Sequence, residues 1–223
     1  MEKLRKAILE AEKYVHQRIE EFEKLGEKGE TLFNFEPFLN LTLKADTFSE
    51  LCFCLLTANS SAITGIKIQA YVGSEGFSSM DINSLTDIFS SLGHRFAHQR
   101  AERIVKAREK WEKIEKLLKS VTDSYKLREF LCNPESEFKI KGLGYKEASH
   151  FLRNTGCKDI AIVDRHIYRF LVEEGLYPPV KSLTPRRYKE IEKVLGEICA
   201  RLELTQAELD LYIFYIKTGK VLK

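Results

Sequence analysis

The amino-acid sequence predicts an all-α protein, because helical signals recur along nearly the whole chain. Apolar residues recur at helical spacing from Leu4 to Phe22, between pairs of lysine and glutamate. Capping boxes such as Thr205 with Glu208 mark the starts of further helices. No segment alternates convincingly between apolar and polar residues, as a half-buried strand would. We therefore expect about ten helices, arranged in two lobes with a cleft between them.

Length and charge limit the possible functions. At 223 residues, 43% of them hydrophobic, the chain is long enough for one large or two small helical lobes with a real core. Basic residues number 36 and acidic residues 33, so the formal net charge is only +3. This balance argues only weakly for nucleic-acid binding, which would need a local basic face.

The five cysteines predict a reduced, cytoplasmic protein. They are scattered, odd in number and never spaced as Cys-x-x-Cys, which argues against a disulfide framework. The segment from Met1 to Lys28 is charged throughout, and no apolar run reaches membrane-spanning length. We therefore expect a soluble, unexported protein that does not act at a membrane.

Glycines and helix caps divide the N-terminal part of the chain into elements. Gly26 and Gly29 predict the end of the first helix, and Thr47 with Glu50 forms a capping box that predicts the start of another. Gly93 opens a long helix whose basic first half is typical of a solvated face. The predicted elements are a helix from Glu2 to about Leu25, an irregular connector from Thr31 to Lys44, helices from Leu51 to Ala58 and from Ser61 to Val72, a Gly/Ser-rich loop from Gly73 to Asp81, and helices from Ser84 to Leu92, from Gly93 to about Leu118 and from Thr122 to Cys132.

The C-terminal part contains clearer caps. Thr184 and Pro185 occupy the favoured N-cap and first-turn positions of one helix, and Thr205 with Glu208 opens the last helix. The last helix is almost uniformly apolar, so it should be buried on most sides. The predicted helices here run from Tyr145 to Asn154, from Arg165 to Glu173, from Pro185 to about Leu202 and from Ala207 to Lys217.

A short hairpin before the helix at Tyr145 carries the strongest functional signal. Gly142 and Gly144 allow positive φ and a close approach of the backbone to a ligand, and the free N–H groups of the new helix point outward. Such a helix start binds anions, most naturally phosphate, and Lys139 and Lys141 add positive charge. Lys146 lies in the first turn, where the helix dipole disfavours its ammonium form and helps to set free a nucleophilic amine.

One helix later, Asp164 precedes the helix that begins at Arg165. An aspartate in this place is an ordinary N-cap, and the residue type alone favours that role. The hairpin, Lys146 and Asp164 together resemble the helix-hairpin-helix DNA glycosylases, which excise damaged bases. The similarity extends from about Thr47 to Lys223, and it is greatest to the compact 8-oxoguanine DNA glycosylase/lyase branch of archaea and some thermophilic bacteria. Many members have Gly-Pro before this aspartate, where this chain has Ile162-Val163.

The resemblance implies a fold and an activity. The fold would be two-lobed and helical with the hairpin at the cleft, one lobe comprising residues 47–135 and the other residues 1–46 and 136–223. The implied enzyme is a monomeric, bifunctional DNA glycosylase and AP lyase acting on oxidised guanine in double-stranded DNA of the nucleoid. Lys146 would form a Schiff base and Asp164 would assist excision. Two alternatives stay open: a related glycosylase for another lesion, and a non-catalytic hairpin module that only binds DNA.

The resemblance also implies roles for residues outside this pair. Phe214, Lys223 and Phe96 would form the pocket for the damaged base. Asn59 and Ser60 would fill the gap that the extruded base leaves, although Asn59 could equally cap the following helix.

Cofactor requirements follow from the same comparison. Related glycosylases hold a four-cysteine iron–sulfur cluster near the C-terminus, where this chain has only Cys199, so no cluster and no other cofactor is expected. Whether a monovalent ion binds the carbonyl groups of the hairpin stays open.

Overall fold

The structure, a computed structural model, describes residues 1–223 and confirms the all-α class. It contains ten helices and one two-stranded antiparallel sheet. None of the helices combines the length and the apolar composition that a membrane span needs. The elements are α1 (Glu2–Lys28), β1 (Glu30–Asn34), β2 (Thr42–Asp46), α2 (Thr47–Thr57), α3 (Ala62–Ser79), α4 (Ile82–Ser91), α5 (Ala97–Ser120), α6 (Ser124–Cys132), α7 (Tyr145–Asn154), α8 (Arg165–Glu173), α9 (Pro185–Leu202) and α10 (Gln206–Thr218).

The two strands correct the prediction of an irregular connector between residues 31 and 44. β1 and β2 pair in register with Phe33 opposite Leu43, and both side chains are buried. Each strand places only two residues inward, and β1 carries the exposed Leu32 on its outer face. Because an apolar residue occupies the outer face, the sequence does not alternate as a half-buried strand should.

Glycine conformations explain three further differences from the predicted helices. α1 continues past Gly26 to Lys28 and ends where Gly29 adopts the left-handed conformation (φ 76°). α3 continues through the predicted Gly/Ser-rich loop after a kink at Gly73 (φ 65°). α5 begins at Ala97, four residues later than predicted, because Gly93 turns the chain with φ 79°.

Capping residues position the remaining helices. α7, α8 and α9 begin and end at the predicted residues, and the capping box of Thr205 and Glu208 at α10 is confirmed. The cap of α2 is Asp46 rather than Thr47, since the Asp46 carboxylate accepts a hydrogen bond from the backbone N–H of Ser49 at 2.7 Å. Local cap chemistry was therefore sufficient to predict most of the C-terminal helices.

Helix α2 lies at the centre of the molecule. All its residues from Phe48 to Thr57 are buried, and it packs against α3, α5 and α7. α1 packs against α10 and α7, and α10 packs against α8 and α9. The first turn of α7 and the start of α8, which carry the predicted catalytic pair, are thus held by helices on several sides.

The division into two lobes stays a prediction, and the packing of α6 bears on it. The predicted boundary at residue 135 assigns α6 to the first lobe. In the structure α6 packs against α7, and its buried Arg128 forms an ion pair with Glu192 of α9. These contacts tie α6 to the elements of the second lobe.

Candidate active site

A cavity of about 730 Å³ lies where the junction of α2 and α3 meets the starts of α7 and α8 and the C-terminal segment. Its lining includes both Lys146 and Asp164. Asn59, Phe214 and Lys223, which were predicted on resemblance alone, also line it. The fold therefore gathers most of the candidate residues around one space, which is large enough to hold a nucleobase.

The backbone of the hairpin requires one of its two glycines. Gly142 has φ 104°, and a Cβ atom on it would lie 2.8 Å from Cδ of Arg103 and 3.2 Å from Cδ2 of Leu55. Gly144 is the N-cap of α7 with φ −93°, which any residue can adopt. Its N–H donates to Oε2 of Glu147 at 3.3 Å, so a carboxylate already caps the helix start that was predicted to bind phosphate.

Lys146 projects from the first turn of α7 into the cavity. Its side chain is about one quarter exposed (27%), and its ammonium forms no hydrogen bond within the protein. The nearest carboxylate is that of Glu147, with 4.0 Å between Nζ and Oε1. An ammonium without a bonded partner is free to contact a molecule that enters the cavity.

Asp164 is the N-cap of α8, as its residue type predicted. Oδ1 accepts both capping hydrogen bonds, from the backbone N–H of His166 (2.7 Å) and of Ile167 (3.0 Å). No hydrogen bond reaches Oδ2. The cap fixes the orientation of the carboxylate in the cavity wall and leaves one of its oxygens for a ligand.

Asp210 is a cavity residue that the sequence analysis missed. It is buried within α10, where Nη1 of Arg153 donates to its Oδ2 at 2.8 Å. Burial raises the pKa of Asp210 to about 7; the Arg153 cation opposes this rise and the Asp164 carboxylate adds to it. The available signal was an acid between Leu209 and Leu211 in the apolar middle of α10, because such a residue needs a buried partner.

His150 was missed as well. It lies one turn after Lys146, is 95% buried and lines the cavity, with Nδ1 3.4 Å from Oγ1 of Thr57. Burial, assisted by the charges of Arg153 and Lys146, lowers the pKa of His150 well below its usual value. The imidazole is therefore neutral at physiological pH, and the spacing of four residues from Lys146 could have indicated a shared helix face.

The two aromatic candidates, Phe214 and Phe96, lie in different depressions of the surface. Phe214 lines the cavity, and its ring packs edge-to-face on His166 with centroids 5.5 Å apart. The prediction of Phe96 as a pocket wall is corrected, since Phe96 lies in a neighbouring depression beside Gly142 and Gly144. It is the N-cap residue of α5, where the guanidinium groups of two arginines, Arg95 and Arg100, hold its 40% exposed ring outward.

Two further histidines differ in their surroundings. His166 lines the cavity. His94 is buried and bonded at both nitrogens, with Nε2 2.9 Å from the Leu56 carbonyl and Nδ1 accepting from the N–H of Phe96 at 3.2 Å. His94 therefore stabilises the turn before α5 and is not available to a ligand.

Lys223 lines the cavity, but its ammonium group lies beneath it. The side chain is completely buried, forms an ion pair with Glu50 and donates to Oε1 of Gln69 at 2.6 Å. Nζ also lies 4.3 Å and 4.1 Å from the ring centroids of Phe33 and Phe53. The ammonium is directed at these core groups, so Lys223 does not present it to the cavity as a base contact would require.

The break between α2 and α3 lies in the cavity wall, as expected of a wedge. Asn59 adopts a left-handed conformation (φ 60°), and Ser60 follows it along the cavity. The cap of α3 is Ser61, so the alternative that Asn59 caps this helix is wrong. Nη2 of Arg95 donates to the carbonyl of Asn59 at 2.9 Å, and Arg100 donates to the preceding carbonyl at 2.6 Å.

The two hairpin lysines predicted to bind phosphate differ in their surroundings. Lys141 is exposed and makes no hydrogen bond or ion pair. Lys139 is partly buried and donates to the main-chain carbonyls of Cys132 (2.9 Å) and Leu143. The assignment of Lys139 to phosphate is therefore corrected, because its donors are directed at the protein itself.

Comparisons with known proteins agree on one family. Residues 15–204 match the family model Ogg-HhH, described as 8-oxoguanine DNA glycosylase. An 8-oxoguanine DNA glycosylase/AP lyase of Aquifex aeolicus is 56% identical over 223 residues, which cover 100% of this chain and 99% of that protein. A Methanocaldococcus jannaschii 8-oxoguanine glycosylase/lyase, solved in complex with a 15mer DNA containing 8-oxoguanine, superposes with a TM-score of 0.84 at 41% identity and full coverage of both chains. The 8-oxoguanine DNA glycosylase of Thermotoga maritima gives a TM-score of 0.84 at 38% identity, covering 100% of this chain and 97% of that one.

Proposed function

Because the chain belongs to the 8-oxoguanine DNA glycosylase family, we propose that it removes 8-oxoguanine from double-stranded DNA and cleaves the resulting abasic site, with Lys146 and Asp164 as its catalytic residues. The observation that supports this assignment best is that one cavity is lined by an unbonded lysine ammonium and by a carboxylate with a free oxygen. A glycosylase that uses water needs only the carboxylate. The lysine therefore accounts for the second activity, which is lyase cleavage of the abasic site.

DNA binding must compensate for the cost of extruding the base, which is a few kcal/mol. The exposed Lys141, together with those N–H groups of the first turn of α7 that Glu147 does not cap, supplies phosphate contacts beside the cavity. Asn59 and Ser60 fill the gap in the duplex, and Phe214 stacks on the extruded base. The substrate is DNA, and we propose that the protein binds it as a monomer.

The first chemical step breaks the bond between the base and C1′ of the sugar. The Asp164 carboxylate stabilises the positive charge that develops on the sugar. Lys146 bonds to C1′ through its nitrogen lone pair, and the base leaves with the electron pair of the glycosidic bond. The proton that Lys146 gives up passes through Asp164 to the departing base, so the carboxylate is ionised again at the end of the step.

The second step cleaves the strand. Opening of the sugar ring at C1′ converts the lysine adduct into a protonated Schiff base, and the adduct nitrogen gives one of its two protons to O4′. The cationic imine makes the C2′ proton acidic, so a base removes it and the C3′–oxygen bond breaks with departure of the phosphate. Hydrolysis of the imine then releases Lys146.

Borohydride trapping tests the assignment, because it reduces a Schiff base to a stable covalent adduct. The wild type should be trapped on duplex DNA containing 8-oxoguanine, and Lys146→Gln should not. Lys141→Gln is the matched control, since it removes a charge from the same hairpin at an exposed position and should still be trapped. A trapped Lys146→Gln adduct would remove the lysine from this role.

The role of the Asp164 carboxylate is tested separately from the identity of the excised base. Asp164→Asn should bind DNA like the wild type and lose most base excision, whereas unchanged excision would exclude the carboxylate from the mechanism.

A panel of DNA substrates, including oxidised pyrimidines and mismatched adenine, shows which base is removed fastest. Salt-sensitive DNA binding without any strand cleavage would instead identify a non-catalytic DNA-binding module.

A further inference from the structure

Lys139 lies inside the turn that connects α6 to α7, with its ammonium directed at the main chain. It donates to the carbonyl of Cys132, the last residue of α6, at 2.9 Å and to the carbonyl of Leu143, two residues before α7. It forms no ion pair with a carboxylate. The two ends of the turn are thus joined by one side chain.

A second lysine completes the arrangement. Lys110 of α5 donates to the carbonyl of Glu137 at 3.0 Å and to the carbonyl of Lys139 at 2.9 Å. Residues 133–144 form neither helix nor strand, so these carbonyls have no regular secondary-structure partners. Two ammonium groups therefore satisfy four main-chain oxygens around the hairpin.

A bound monovalent ion would need the same kind of oxygen. Small cations are held in proteins by converging carbonyl groups that replace their hydration shell. The carbonyls of Cys132 and Leu143 already converge on Nζ of Lys139, which carries the charge that such an ion would supply. An ammonium at this point leaves no room for a second cation with the same ligands.

We propose that Lys139 is the built-in cation of the hairpin: its tethered ammonium takes the place of a free potassium or sodium ion and fixes the turn that presents the start of α7. In this role Lys139 is a positioning residue and does not contact DNA phosphate. The hairpin of this protein is then independent of the monovalent ion in solution. The proposal rests on the proposed function only in its DNA-binding readout, since turn stability is measurable without DNA.

The wild-type protein provides the first test. Thermal unfolding and binding to undamaged duplex DNA are measured in chloride buffers of equal ionic strength containing potassium, sodium or tetramethylammonium, the last being too large for a carbonyl site. We expect the same melting temperature and the same affinity in all three. A lower melting temperature or weaker binding in tetramethylammonium alone would show that a free ion is required and would overturn the proposal.

The second test compares Lys139→Met with Lys141→Met, which removes the same charge from the exposed neighbour. Lys139→Met should lower the melting temperature and weaken DNA binding about tenfold in tetramethylammonium, because two carbonyls lose their donors, with partial recovery in potassium. Lys141→Met should keep the melting temperature and instead reduce the slope of log affinity against log salt by about one.

Two results would contradict the proposal: an unchanged melting temperature of Lys139→Met, or a loss of salt slope equal to that of Lys141→Met. Lys139→Gln, which keeps a neutral donor, serves if the methionine variant does not fold. If the protein binds DNA but excises no base, the proposed function is refuted. The melting temperatures and DNA affinities would still test the role of Lys139.

Discussion

The buried ion pair between Lys223 and Glu50 allows a quantitative prediction of stability. Neither side chain has any exposed surface, and Glu50 also accepts hydrogen bonds from the amides of Asn154 (2.6 Å) and Gln69 (3.2 Å). Lys223→Met removes the ammonium and leaves the Glu50 carboxylate buried with only these two amide donors. Removal of one partner of a buried pair costs about 3–5 kcal/mol, and the remaining donors favour the lower end of this range.

The corresponding change in melting temperature is large enough to measure. In a domain of this length each kcal/mol lowers the melting temperature by about 2–4 °C, so Lys223→Met should unfold about 6–12 °C below the wild type. Circular dichroism during heating, combined with urea titration at neutral pH, measures both quantities. Base excision should also fall, because Leu222 and Lys223 are buried in the wild type and form part of the cavity wall.

A double-mutant cycle separates the ion pair from simple loss of packing. Glu50→Gln combined with Lys223→Met removes both charges, so the double variant should be more stable than the sum of the single losses predicts, by about 1–3 kcal/mol. A single Lys223→Met variant that melts within about 2 °C of the wild type would refute the reasoning. Strict additivity in the cycle would do the same, because it would mean that the two groups do not interact.

Two further predictions concern the cavity and the hairpin. The pKa of Asp210, raised by burial to about 7, lies above the value of about 3.9 in an unfolded chain. The unfolded chain therefore binds fewer protons between about pH 4 and pH 7, and this group lowers the free energy of unfolding as the pH rises through that window. Asp210→Asn should abolish that decline in urea titrations, and an unchanged decline would exclude Asp210 as its source. Gly142→Ala should weaken DNA binding more than Gly144→Ala, because only Gly142 has a positive φ and an added Cβ there would lie 2.8 Å from Cδ of Arg103. Equal affinities of the two variants in a binding titration would count against this requirement.

Local signals in the sequence were sufficient for the helices that carry Lys146 and Asp164, whereas the proposed catalytic roles of these residues came from a family resemblance. The glycines of the hairpin and the capping role of Asp164 depend on neighbouring residues alone, so α7 and α8 were predicted to the residue. The strand β1 was missed because the apolar Leu32 lies on its outer face, and β2 was missed because its alternation extends over only five residues. Helix caps depend on residues two to four positions apart, whereas the pairing of β1 with β2 joins residues 8 to 16 positions apart.

The rest of the cavity depended on contacts between distant parts of the chain. Asp210 and Arg153 form an ion pair across 57 residues, and Lys223 meets Glu50 across 173. Phe96 was given the wrong place because nothing in its sequence surroundings specifies the side of the α5 start on which its ring lies. Lys139 was interpreted from its charge alone, whereas in the structure its ammonium donates to the carbonyls of Cys132 and Leu143.

The anchoring of α7 determines how motion is divided between protein and DNA. At its C-terminal end the amide of Asn154 donates to Glu50 at 2.6 Å and Arg153 donates to Asp210 at 2.8 Å, all within the core. Lys146, at the other end of this short helix, cannot travel towards a base in the duplex without breaking those contacts. If Lys146 is the nucleophile, the nucleotide must leave the duplex to reach it. We therefore expect discrimination between bases to begin with the ease with which each base pair opens.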